Sequence, residues 1–214
     1  KTLDSTFDSS MIYNEAEGRT SAFEYRGANG ITIEFWMKKD TNPNVRETIL
    51  EVWNEDIANQ PSIELTYFGN STSKFRLWMN SSTETASRTD ILTDVQLAVW
   101  NHYAFVIFDG PTETRIEVYV NGKFSTALPY SGKLFGNILP NTGGMNLRIG
   151  HRITTDSVPT KFQGSLDEFR FWKTRRTPEQ IYNSWFTHIG GGTNKHDANI
   201  NLGLYLKFNE GITG

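Results

Sequence analysis

Carboxylates, imidazoles and tryptophans are the side chains through which this chain could act. Hydrolysis of a glycosidic bond needs two carboxylates flanking that bond. Glu51, Glu55 and Asp56 are close in sequence, but Glu55 and Asp56 fall in a loop after Trp53, so nothing makes the three share a face. Asp167 and Glu168 are adjacent and read as a surface or strand-edge pair. The four histidines, His102, His151, His188 and His196, do not fall at metal-binding spacing. There is no Gly-x-Ser-x-Gly run and no phosphate loop. Catalysis is therefore not the expectation.

Recognition of a sugar asks for less: a flat aromatic face beside fixed donors and acceptors. Trp53 and Trp78 supply aromatic faces, with Tyr67 as a further one, and Asn54, Arg76, His151 and Arg152 supply polar partners. Trp78 alternates with Leu77 and Met79 and shares its side with Arg76, so it should face outward or into a groove. Trp53, Asn54, Arg76, Trp78, His151 and Arg152 are the candidate carbohydrate-binding set.

The composition bounds what can carry such a site. A chain of 214 residues suits one large all-β domain spanning 1–214 rather than two. Hydrophobic residues make up 37% and charged residues 21%, which fits a globular domain. Aromatics reach 13%, and together with abundant glycine they favour strands. The net charge of −3 gives no electrostatic case for nucleic acid or an anionic membrane. No long apolar run or lipidation motif appears, so membrane insertion is not expected. There are no cysteines, which excludes a disulfide framework. The polar start K-T-L-D-S-T and the end G-I-T-G read as those of a module cut from a longer protein, with neighbouring modules as partners.

Alternation then places the elements. Residues 30–38 read as a strong strand with Ile31, Ile33, Phe35 and Met37 on one side. Further strands are expected at 48–53, 62–68, 74–80, 100–109 and 145–150, and a weaker one at 11–13. Residues 114–127 read as a hairpin turning at Asn121-Gly122 in a type I′ turn. Residues 161–185 read as a strand, a basic turn and one short helix. In that strand Phe169 and Phe171 alternate with Glu168 and Arg170. The helix starts at Thr177 as N-cap, with Pro178 at the first position and Gln180 completing a capping box. Trp172 and Trp185 should pack this helix onto the sheet.

The run G-S-L-D-E-F-R-F-W at 164–172, followed by T-P-E-Q-I at 177–181, resembles the closing signature of laminin-G-like domains. The resemblance extends to T-I-E-F-W-M-K at 32–38, W-N-H-Y-A-F at 100–105, V-Y-V-N-G-K at 118–123 and L-Y-L-K-F-N-E-G at 204–211. Pentraxins share a looser version, and both belong to the concanavalin A-like lectin and glucanase superfamily. The resemblance implies an all-β, antiparallel two-sheet jelly-roll sandwich with one short C-terminal helix, whose last strand pairs beside the N-terminal region. It makes Asp167-Glu168 part of a structural signature, and it puts Trp36 and Trp100 in the core. The Glu-x-Asp-x-Glu strand used by the superfamily's glycoside hydrolases is missing. Members often hold Ca²⁺ at one rim, and by position the ligand-bearing loops match 53–61 and 151–159. That makes Asp56 and Asp156 the metal candidates, with Asn54 and Asn59 as helpers, although the second loop is poorer in acid than in pentraxins. The missing cysteines depart from the animal modules and point to a bacterial or viral source.

Because this fold hosts lectins, adhesion modules and glycosidases alike, function must come from the site. The expectation is a non-catalytic module that binds a glycan or glycosylated surface within a larger extracellular protein on a cell or virion. The alternative is a structural or protein–protein interaction module without a glycan site, and a glycoside hydrolase is the third reading.

Overall fold

The computed structural model describes residues 7–8, 23–54, 63–69, 73–81, 89–130, 132–139, 145–152, 161–189 and 200–208. In chain order the strands are β1 (Phe7–Asp8), β2 (Tyr25–Arg26), β3 (Ile31–Lys38), β4 (Arg46–Asn54), β5 (Ile63–Gly69), β6 (Ser73–Met79) and β7 (Thr89–Thr93). There follow β8 (Asn101–Asp109), β9 (Thr114–Val120), β10 (Lys123–Tyr130), β11 (Asn137–Ile138), β12 (Met145–Ile149), β13 (Ser165–Trp172), the helix α1 (Pro178–Ser184) and β14 (Leu202–Leu206). The metal candidates Asp56 and Asp156, the helper Asn59 and the expected strand at 11–13 lie outside the described residues.

The strands form two six-stranded sheets and one small pair, giving the jelly-roll β-sandwich. The front sheet runs β1-β12-β4-β5-β6-β7 and the back sheet β10-β9-β8-β3-β13-β14, while β11 pairs β2. All these strand pairings are antiparallel. Period-two alternation decides which residues meet between the sheets. Phe35 of the back sheet lies about 6 Å from the rings of Phe105, Phe169 and, across the sandwich, Phe75. Phe75 in turn sits edge-on to Tyr103 at 4.8 Å and Phe105 at 5.1 Å.

The local signals hold where they are chemical. The β9–β10 hairpin turns at Asn121 (φ 49°) and Gly122 (φ 74°), the two left-handed residues a type I′ turn requires. Thr177 caps α1, accepting from the Gln180 N–H while the Gln180 side chain accepts from the Thr177 N–H. Among the described residues the last strand, β14, hydrogen-bonds β13 at the edge of the back sheet and residues 7–8 pair β12 in the front sheet, while most of the N-terminal region expected beside β14 lies outside the described residues. Thr32 and Glu34 are also buried, although alternation turns them away from the core. The segment around α1 covers them: Thr32 Oγ1 donates to the Thr174 carbonyl and accepts from the Arg176 N–H, both at 2.9 Å.

Glu34 lies at the centre of that covered layer. Its carboxylate is 3.3 Å from His102 Nε2 and 3.9 Å from Arg170 Nη1, and it accepts from the Trp172 indole N–H. Burial pushes the Glu34 carboxyl up, but the His102 hydrogen bond and the charges of His102, Arg170 and Arg176 outweigh it and hold the group below its ordinary value. Trp172 is buried here with Arg176 stacked 3.9 Å above its ring, so it does pack the helix segment onto the sheet.

Candidate functional site: the outer face of the front sheet

The face of the front sheet turned away from the core carries a dense set of polar and aromatic side chains. Register sets it out in rows. Arg148 of β12 faces Glu51 of β4, Glu51 faces Glu64 of β5, and Glu64 faces Trp78 of β6. A second row runs Thr48, Thr66, Arg76 and Asp90. Asn146 faces Trp53 at the other end. With strands about 4.8 Å apart, Arg148 to Trp78 spans roughly 14 Å across four strands.

The centre of this face is costly to build. Glu51 is 3% exposed, Glu64 is 0% exposed, and the two are cross-strand neighbours of like charge. Arg152, 7% exposed, bridges them, with Nε 3.7 Å from Glu51 and Nη1 3.7 Å from Glu64. Thr48 Oγ1 donates to Glu64 at 3.2 Å and Arg46 Nε lies 3.9 Å from it. Buried ion pairs at such distances do little for net stability, because desolvation offsets the attraction. Around this floor the aromatic residues are half-buried. The Arg148 guanidinium lies 4.1 Å over the Trp53 ring, and Trp78 stands on the opposite flank. Arg76 stacks 4.5 Å over Phe68 and pairs with Asp90, which Lys74 also holds at 2.8 Å. Burial pushes the Asp90 carboxyl up; the Lys74 and Arg76 hydrogen bonds more than reverse that and hold it below its ordinary value.

Of the residues singled out by sequence, this face brings Trp53, Arg76, Trp78 and Arg152 together. His151 is half-buried next to Arg152, and its Nδ1 makes no hydrogen bond among the described residues. Asn54 ends β4, and its side chain lies outside the described residues. Tyr67 is not part of the face: it shares the core side of β5 with Ile63 and Leu65, and its hydroxyl donates to Asn42. Glu51 was weighed only as a catalytic carboxylate, and Glu64, Arg148 and Asn146 were not singled out. Alternation within β4 and β5 was the signal, since Glu51 and Trp53 must share a side, as must Glu64 and Thr66. Trp100 also departs from expectation, because it is 45% exposed rather than in the core, and Trp36 is half-buried on the outer side of the back sheet.

Comparison with known proteins places this geometry in a family. The family model Laminin_G_3, of the concanavalin A-like lectin/glucanases superfamily, matches residues 14–182, and the chain belongs to that superfamily. No curated protein matches the sequence. Among solved structures, a candidate carbohydrate-binding protein from Bacteroides ovatus superposes with a TM-score of 0.59 at 17% identity, over 85% of this chain and 46% of that one. A native heptameric SAP-like pentraxin from Limulus polyphemus gives 0.55 at 18% identity, over 74% and 70%. The CBM40 of the Ruminococcus gnavus IT-sialidase gives 0.54 at 20% identity, over 74% and 84%, and that module has also been seen with α2,3- and α2,6-sialyllactose. At these identities the likeness is one of fold.

Proposed function

We propose that the chain is a non-catalytic glycan-binding module and that the outer face of the front sheet is its binding surface, with a preference for acidic glycans. The observation that carries this reading is the row Arg148, Glu51, Glu64 and Trp78: two buried like charges side by side, bridged by Arg152 and flanked by half-exposed tryptophans. Such an arrangement is poor for stability and good for holding polar atoms in fixed positions against an aromatic face. Trp78 and the Trp53–Arg148 stack would contact the sugar, over the Glu51, Glu64 and Arg152 floor. Among the described residues Arg46, Lys74, Arg76, Arg148 and Arg152 outnumber Glu51, Glu64 and Asp90 on this face, which favours a carboxylate-bearing sugar. The sialyllactose complexes of the CBM40 relative are in keeping with it. Against hydrolysis, Glu64 is fully buried and already engaged by Thr48, Arg46 and Arg152.

In this reading the module is extracellular, on a cell or virion surface, and works beside neighbouring modules of its polypeptide. Among the described residues no helix is long and apolar enough to cross a membrane. Calcium at Asp56 and Asp156 belongs to the same proposal, as a rim site supporting the loop that carries His151 and Arg152. The test is a glycan array probed in calcium and in chelator. Binding to acidic glycans supports the reading. No binding to any glycan leaves a structural or interaction module, and release of product from labelled polysaccharide would establish a hydrolase.

A further inference from the structure

A pocket of about 320 Å³ opens on the other side of the sandwich, between the back sheet and the residues following α1. Its walls are aromatic: Trp36, Trp100, Trp185 and Phe186. Trp36 and Trp185 lie 5.5 Å apart with rings tilted by 32°, and Phe186 stands at 73° to Trp185. Trp36, Trp185 and Phe186 thus meet at angles rather than forming one flat platform. Trp100 and Phe186 are 45% and 62% exposed, which is a substantial apolar area to leave in water.

The polar side of the pocket is made by a bulge. In a regular strand Asp167 and Glu168 point to opposite faces. Here the register of β13 against β3 slips between Asp167 and Arg170, and Glu168 sits at φ 51° in the left-handed region. Asp167, Glu168 and Arg170 therefore all line the pocket. Glu168 is engaged: Arg170 Nη2 lies 3.1 Å away, His188 Nδ1 2.7 Å away, and the Tyr205 hydroxyl donates to it. The Arg170 charge is divided between Glu168 and Glu34. Asp167 accepts only the Glu168 N–H, at 2.9 Å, and makes no ion pair among the described residues.

Most buried donors of the pocket are spent, Arg170 Nε being one that makes no hydrogen bond among the described residues. Trp36 Nε1 donates to the Trp185 carbonyl at 3.1 Å. Arg170 donates to the carbonyls of Ser184 and Thr187. The Nε1 edge of Trp185 abuts the β9–β10 turn, where a Cβ on Gly122 would lie 2.6 Å from it. What the pocket mainly offers a ligand is π faces and carboxylate oxygens, with Arg170 Nε as one remaining buried donor. A neutral sugar needs donors for its own lone pairs as well as acceptors for its hydroxyls, whereas an ammonium group needs π faces and an anion.

We propose that this pocket is a second binding site, separate from the front sheet, and that it takes an organic ammonium group seated against Trp36, Trp100, Trp185 and Phe186 with Asp167 as counter-ion. The probes are choline for a quaternary ammonium and glucosamine for a primary one, with N-acetylglucosamine as the neutral control. All are added at matched ionic strength to ¹⁵N-labelled protein. The readout is the set of six tryptophan indole N–H signals, assigned by single Trp→Phe variants. The expected result is a saturable shift of the Trp36, Trp100 and Trp185 signals by choline, glucosamine or both, with a dissociation constant on the order of millimolar. Which probe acts decides the kind of ammonium. N-acetylglucosamine should leave these signals in place, and Asp167→Asn should weaken binding about fivefold while keeping a folded spectrum. The proposal is overturned if neither cation moves the three signals, if N-acetylglucosamine moves them as glucosamine does, or if folded Asp167→Asn binds as tightly as wild type.

Discussion

Arg152→Met isolates the cost of the charged floor beneath the proposed glycan surface. The substitution keeps an apolar stem and removes a cation that approaches both Glu51 and Glu64 within 4 Å. Losing one partner of a buried ion pair costs about 3–5 kcal/mol. Two features reduce that here. Both contacts are 3.7 Å long, and Glu64 keeps Thr48 Oγ1 at 3.2 Å and Arg46 at 3.9 Å. About 2–3 kcal/mol remains. For a chain of 214 residues that is roughly 5–10 °C in Tm. Adding Glu51→Gln removes one of the two facing carboxylates and should return about half of the loss, so the two substitutions are strongly non-additive. Thermal and urea denaturation of the wild type, both single variants and the double at pH 7 measure this. The reasoning is refuted if Arg152→Met melts within about 1 °C of wild type at pH 7, or if Glu51→Gln deepens its defect.

Other outcomes follow from the fold. Phe171, fully buried and edge-on to Phe23 at 5.7 Å, should cost about 3–5 kcal/mol on Phe171→Ala by chemical denaturation. Thr177→Ala removes the cap of α1 and should cost about 1 kcal/mol in the same assay. The carboxyls of Glu34 and Glu168 are both held below their ordinary value of 4.5 in the folded state. Their contribution is therefore complete above that value and is lost as pH falls through and below it, so a Tm-versus-pH profile should drop on the acid side. Glu34→Gln should flatten that drop. Calcium held by Asp56 and Asp156 would raise Tm, by about 2.7 kcal/mol of stability at a hundredfold excess over Kd, and EDTA would reverse it. An unchanged melting curve removes the metal from the account.

Much of the fold was legible in the sequence because it rests on local rules. Ile31, Ile33, Phe35 and Met37 alternate, Asn121-Gly122 fits one turn type, and Thr177, Pro178 and Gln180 encode a helix start. The pairing of β14 was not legible, since strand order is set by long-range contacts that no local pattern encodes. Trp53, Arg76, Trp78 and Arg152 could be read toward one surface, but Glu64 was passed over and Glu51 was weighed only for catalysis. Their importance comes from facing each other across strands, which requires register. The exposure of Trp100 depends on what packs against the outer side of the back sheet, and that is invisible to alternation. The Glu168 bulge was hidden for a different reason: a glutamate gives no sign that it will take a left-handed conformation, as a glycine would. What turned Asp167 from a strand-edge residue into a pocket wall is that one backbone slip.

The central claim is that a glycan lies on the outer face of the front sheet. Isothermal titration of an array-positive glycan into wild type, Trp53→Ala, Trp78→Ala and Trp100→Ala tests it most directly. The account predicts that Trp78→Ala and Trp53→Ala each weaken binding about tenfold or more while remaining folded, the loss of one stacked aromatic contact being worth about 1.4 kcal/mol. It also predicts that Trp100→Ala, on the opposite side of the sandwich, leaves the affinity unchanged. Undiminished binding by both Trp53→Ala and Trp78→Ala would contradict it.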